Sequence, residues 1–167
     1  KEIEDPEGDG TPNLITLFAN DQPSEQRADT TGDGLLDTAI FFVAEEVRQE
    51  EDRNADGQND ARYTFDEEGR NSIESLASQP DGFFDTSTQF EAGVIVRRSI
   101  DNSKRGQPDR IEVYADGLLS VIEIDENLDG TVNSWNYYHP DGGLERQEQD
   151  SDHTGQIDIW VHFDLET

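Results

Sequence analysis

An all-β fold, an antiparallel meander of about seven hairpin repeats of 24 residues, is what this sequence predicts, and three columns of one internal repeat predict it. Repeat starts at Asp5, Asp29, Asp52, Ala77, Asp101, Asp125 and Asp150 are spaced by 24, 23, 25, 24, 24 and 25 residues, a fixed period of the kind that marks a repeat architecture. The sixth position is always glycine: Gly10, Gly34, Gly57, Gly82, Gly106, Gly130 and Gly155. The ninth is always Asp or Asn: Asn13, Asp37, Asp60, Asp85, Asp109, Asn133 and Asp158. The fourteenth is always aromatic: Phe18, Phe42, Phe65, Phe90, Tyr114, Tyr138 and Phe163. Residues 1–167 therefore read as a single repeat domain, in which consecutive hairpins are joined by polar loops. Such a chain forms an elongated twisted sheet, a solenoid or an open barrel.

Each repeat in turn should supply a first strand, a tight turn and a second strand. The first repeat has no convincing second strand, because ANDQPSEQRA (19–28) is polar and holds Pro23; a loop is expected there. In the second, VAEEVRQEED (43–52) has a composition that suits a helical turn, yet repeat phase assigns it to a strand. From the third repeat on, turn glycines fall eight residues before the next loop, at Gly69, Gly93, Gly117 and Gly142. About eight residues between such breakers leave little room for a helix. The fifth repeat is clearest: RIEVY (110–114), a turn at Ala115, Asp116 and Gly117, then LLSVIEI (118–124), which is a hairpin pattern. The aromatic column should line one face and supply cross-strand pairs between repeats.

The joining loops carry chemistry. Of 22 Asp residues, 17 lie at positions 1, 3, 5 or 9. Alternate oxygen-bearing side chains with a sixth-position glycine match the front of an EF-hand-type loop, where they converge on one cation. The most complete sets are Asp52, Asn54, Asp56, Asp60 and Asp125, Asn127, Asp129, Asn133. Next come Asp29, Thr31, Asp33, Asp37 and Asp150, Asp152, Thr154, Asp158, then Asp5, Glu7, Asp9, Asn13. All donors are oxygen, there is no Cys, and His139, His153 and His162 have no ligand spacing, which favours calcium over zinc. Magnesium is the weaker choice, because it favours rigid octahedral sites that retain water. Ala77 and Gln79 disqualify the fourth loop. Arg105 puts a fixed positive charge into the fifth, which should hold its shape without an ion. The bidentate Glu of an EF-hand belongs at position 12, and only Glu112 occupies it, in the repeat that carries Arg105. The competing reading is a ladder of metal-free Asx and glycine turns, since Asp, Asn and Gly are also ordinary turn residues.

The pattern D-x-[DN]-x-D-G-x-x-D without the twelfth Glu resembles the loops of thrombospondin type 3 repeats and of related acidic repeats in bacterial surface proteins. The strand-like spacers between the loops look more like those of MORN repeats, without that family's residue signature. The likeness lies in the loops alone, and it implies extracellular, calcium-dependent structure rather than an activity.

The charge of −28 disfavours nucleic acid and anionic membranes as partners. Adaptation to high salt also produces acidic chains, but it would spread carboxylates over all faces instead of placing Asp in register with glycine. No disulfide framework is available, and no run is apolar enough for direct membrane insertion. Millimolar calcium is an extracellular condition, so a mature chain at an extracellular or cell-surface location is expected. No nucleophile motif, phosphate loop or His-centred constellation is present, and carboxylate pairs are too common in this chain to be diagnostic; an enzyme is not expected. The leading expectation is a calcium-stabilised structural or adhesive protein, whose partners would be itself or other surface proteins. The alternative is a calcium-dependent module for polysaccharide, because Trp135, Tyr137 and Trp160 fall on odd strand positions and could form an exposed strip. KEIED (1–5) reads as the tail of a second strand and IDIWVHFDLET (157–167) as a first strand without a return. Pairing of these segments between subunits would give a head-to-tail assembly.

Overall fold

The computed structural model describes residues 1–43 and 46–163. Among them every regular element is a strand, and the strands run antiparallel in chain order. The chain divides into two compact units, Lys1–Phe84 and Asp85–Thr167. The first holds β1 (Glu2–Glu4), β2 (Leu14–Ala19), β3 (Gln22–Ala28), β4 (Thr38–Val43), β5 (Glu46–Glu51), β6 (Ala61–Phe65) and β7 (Asn71–Leu76). The second holds β8 (Thr86–Glu91), β9 (Val94–Ile100), β10 (Arg110–Ala115), β11 (Leu118–Ile124), β12 (Ser134–Tyr138), β13 (Leu144–Gln149) and β14 (Ile159–His162). In neither unit does the first strand pair with the last, so neither sheet closes on itself. The meander of hairpin repeats is thus present. Within each unit the acidic loops gather at one end of the strands and the tight turns at the other.

Three of the tight turns have two residues, both at positive φ: Asn20 and Asp21, Ala92 and Gly93, Asp116 and Gly117. That is the type I′ geometry, whose twist matches the twist of the strands it joins. The turns at 66–69 and 139–142 are longer, and close through amide bonds from Asp66 to the Arg70 carbonyl and from His139 to the Gly143 carbonyl, both 2.8 Å. The tip of the second hairpin, 44–45 within VAEEVRQEED, lies outside the described residues. The strand assigned after it by phase is β5.

The first repeat differs from expectation, because 22–28 forms β3 in spite of Pro23. A bulge accommodates the proline: Leu17 faces Glu25 and Phe18 faces Pro23, so Ser24 is the extra residue. On its other side β3 pairs with β4 only through Glu25–Ala28, so no ladder bond is asked of the missing Pro23 amide. The same irregularity recurs before Phe65, Phe90, Tyr114 and Tyr138, each time placing one extra residue on the return strand.

The aromatic column is only partly covered, with Phe65, Phe90, Tyr114 and Tyr138 half-buried. Phe18, Phe42 and Phe163 remain 45%, 37% and 40% exposed. Among the described residues the buried apolar side chains are few, namely Ala61, Ile111 and Ile122, whereas Thr16, Thr38, Thr88 and Ser134 are buried as well. Cross-strand polar pairing takes the place of a thick interior. Glu50 accepts from Arg62 at 2.9 Å and from Asn59 at 2.9 Å, and Gln147 donates to Asn136 at 2.8 Å. Glu112, the lone position-12 carboxylate, accepts from Tyr114 at 2.7 Å and Arg110 at 3.1 Å, so it belongs to the sheet face and not to a loop.

Candidate metal-binding loops

Each loop is built around its ninth residue. The amides of Asn13, Asp60, Asp109, Asn133 and Asp158 donate to the carbonyl of the residue just before the loop, at 2.8–3.0 Å, and so close it. Their carbonyls, with those of Asp37 and Asp85, then receive the next loop's first amide wherever that next loop is present: Asn13 from Asp29, Asp37 from Asp52, Asp60 from Ala77, Asp85 from Asp101, Asp109 from Asp125 and Asn133 from Asp150. Consecutive loops are therefore spliced by backbone, which is why the repeat keeps its phase.

The first-position carboxylate organises the interior of the loop. One oxygen accepts the sixth-position glycine amide in six loops: Asp5 from Gly10 (2.9 Å), Asp29 from Gly34 (2.8 Å), and Asp52, Asp101, Asp125 and Asp150 from Gly57, Gly106, Gly130 and Gly155 (2.7 Å each). That glycine is left-handed throughout, with φ between +69° and +95°. The other oxygen takes the fourth or fifth amide. In the third and sixth loops the third residue joins it: Asp52 and Asn54 both accept the Asp56 amide, and Asp125 and Asn127 both accept the Asp129 amide, at 2.9–3.2 Å. Thr31 donates to Asp29 and Thr154 to Asp152. The fifth-position carboxylates of Asp9, Asp33, Asp56 and Asp129 accept the seventh amide at 2.7–2.8 Å. The structure thus brings positions 1 and 3 together and places position 5 beside them.

Position 9 behaves differently. Its side chain turns to the start of the loop. Asp37 accepts the Thr30 hydroxyl (2.6 Å), Asp109 that of Ser103 (2.6 Å), Asp158 that of Ser151 (2.7 Å), and Asn133 the Glu126 amide (3.1 Å). In the third loop Arg53 donates to Asp60 at 2.6 Å, a cation that sequence reading overlooked although it sits beside Asp52. Hydrogen bonds within the loops lower the pKa of several carboxylates. Asp29 lies below its ordinary value chiefly through the Gly34 amide, and Asp129 through the Asn127 amide group and the Thr131 backbone. For Asp37, partial burial pushes upward and the Thr30 hydroxyl and amide overcome it. Glu7 lies exposed in the first loop, and Asn13 joins that loop's backbone ladder. Among the described residues no three Asp, Glu or His side chains converge as a ready-made cluster. The oxygen set that does converge mixes Asp with Asn, Thr and backbone.

Arg105 fills the fifth loop as its charge suggests. It donates to Ser103 at 2.9 Å, and its guanidinium lies 3.4 Å from Asp109 and 3.5 Å from Asp125 of the next loop. The fourth loop departs for a further reason. Position 4 is left-handed in the other six: Gly8, Gly32, Ala55, Lys104, Leu128 and His153 have φ between +50° and +80°. In the fourth loop that place is Pro80, whose ring locks φ near −65°. The boundary between the two units falls in this loop. No family model matches the sequence, and no curated protein matches it either.

Proposed function

We propose that the chain is a non-enzymatic, calcium-stabilised structural or adhesive protein of an extracellular surface or matrix. The observation that carries this reading is the convergence of first- and third-position oxygens on one amide in the third and sixth loops, repeated in register with a left-handed glycine. Donors of this kind, oxygen only and drawn from a flexible loop, suit calcium. Positions 1, 3 and 5 would hold the ion with backbone carbonyls, while position 9 clasps the loop. A bound ion would neutralise charge that the −28 chain otherwise concentrates along one end of each unit. Folding would then be linked to calcium.

Equilibrium dialysis at millimolar calcium should load about five ions, one for each loop without Ala77 or Arg105. Asp129→Ala should remove one of them. Thermal melts at constant ionic strength should shift upward with calcium and back with chelator. An unchanged melting temperature and circular dichroism spectrum in chelator would leave the loops as metal-free turns and sink the proposal.

A further inference from the structure

We infer that the second unit carries a binding site for a neutral, extended polysaccharide, formed by a cleft between its last two loops and an aromatic strip that continues from it. The cleft has a volume of about 280 Å3; Trp135 forms a wall, and Asp129, Asn133, Asp150 and His153 are its polar groups. Asn133 and His153 lie 3.2 Å apart across it, one from each loop. Such a combination, an aromatic wall with a few convergent polar groups, is the usual make-up of a small-ligand site.

The strip follows from strand register. Trp135 on β12 faces Glu148 on β13, which faces Trp160 on β14. The next row on the same face sets Tyr137 opposite Arg146. Two strand spacings separate the Trp residues, about 9–10 Å, close to the length of two linked pyranose rings. Trp160 is 57% exposed. Between the two, Glu148 accepts from Tyr137 at 3.1 Å and from Arg146 at 2.9 Å, while Arg146 lies over the Tyr137 ring at 3.7 Å. Glu148, Tyr137 and Arg146 are thus held in place before any ligand arrives, while Trp160 is left exposed and Trp135 half-buried.

Charge selects the occupant. The cleft and strip include the Asp129, Asp150 and Glu148 carboxylates, which suit a ligand rich in hydroxyl donors, and a chain of −28 repels anionic glycans. A β-linked glucan in extended form meets both conditions. This site goes beyond the calcium reading: its stacking residues lie on strands, while Asp129, Asn133 and Asp150 of the cleft also belong to the proposed ion loops, so runs with and without calcium separate the two.

Isothermal titration calorimetry with hydroxyethyl cellulose, a soluble β-1,3-glucan, soluble starch and alginate tests it, each run with calcium and with chelator. Binding to at least one neutral glucan is expected, with alginate inert. Trp160→Ala and Trp135→Phe should each lose affinity, about tenfold for the former, whereas Phe18→Ala in the first unit should not. Circular dichroism of each variant checks that the sheet persists. Absence of binding to every neutral glucan, preference for alginate, indifference to both Trp changes, or self-association as the sole heat signal would overturn the inference. Glucan binding that survives chelator, with no calcium effect on melting, would count against the ion reading alone.

Discussion

Four loops hold a non-glycine residue at left-handed position 4, and two hold glycine. L-residues with a Cβ carry a cost of about 1–2 kcal/mol in that region. Ala55 has φ +58° in an exposed loop, and Gly32 has φ +78° with open space where a Cβ would sit. Reciprocal substitutions should therefore act in opposite directions. Ala55→Gly is expected to stabilise by up to about 1 kcal/mol, the strain relief being partly offset by glycine's larger unfolded-state entropy, and Gly32→Ala to destabilise by a similar amount. Urea denaturation of both variants measures it, and a destabilised Ala55→Gly would contradict the geometry.

At the level of loops and hairpins, Arg105 acts as a built-in cation. Arg105→Asp leaves Asp109 and the almost fully buried Asp125 without it; a loss of about 1–3 kcal/mol in chelator is expected. Calcium should restore more stability to this variant than to the parent chain, because the fifth loop then has side-chain oxygen at positions 1, 3 and 5. Equal calcium effects would show that Arg105 does not stand in for an ion. This scale also shows where sequence reading succeeded. Glycines 69, 93, 117 and 142 marked turns because each needs positive φ, which composition alone reveals. Repeat phase recovered β5 against its helical composition. Pro23 misled, because a bulge is a two-strand feature and its partner, Phe18, is visible only once register is known. The aromatic column was legible as an alignment but not in its coverage, since a fixed position says that rings align, not that anything covers them. Arg53 and Pro80 were legible in principle: a cation at the second position of the Asp52 loop and a locked φ at the fourth position of the Ala77 loop are both plain in the sequence. The bonds of position 9 to the Thr30, Ser103 and Ser151 hydroxyls were not, because which polar neighbour a side chain meets is a matter of distance.

For the molecule as a whole, strand contacts join chain neighbours only, among the described residues. Local pairing of this kind favours rapid folding and lets stability accumulate repeat by repeat. It has a mechanical meaning too. Pulling a unit between β8 and β14 loads its ladder bonds one pair at a time, like a zipper, instead of shearing a whole strand at once. Optical-trap extension of such a unit should yield a train of small steps, each releasing one 24-residue hairpin with its loop, or about 80 Å of chain. A single cooperative rupture would mean that the spliced loops fasten the hairpins together more firmly than the strands do. The stepwise outcome describes a tether that lengthens under load, sheds energy in portions and re-forms when the load is removed.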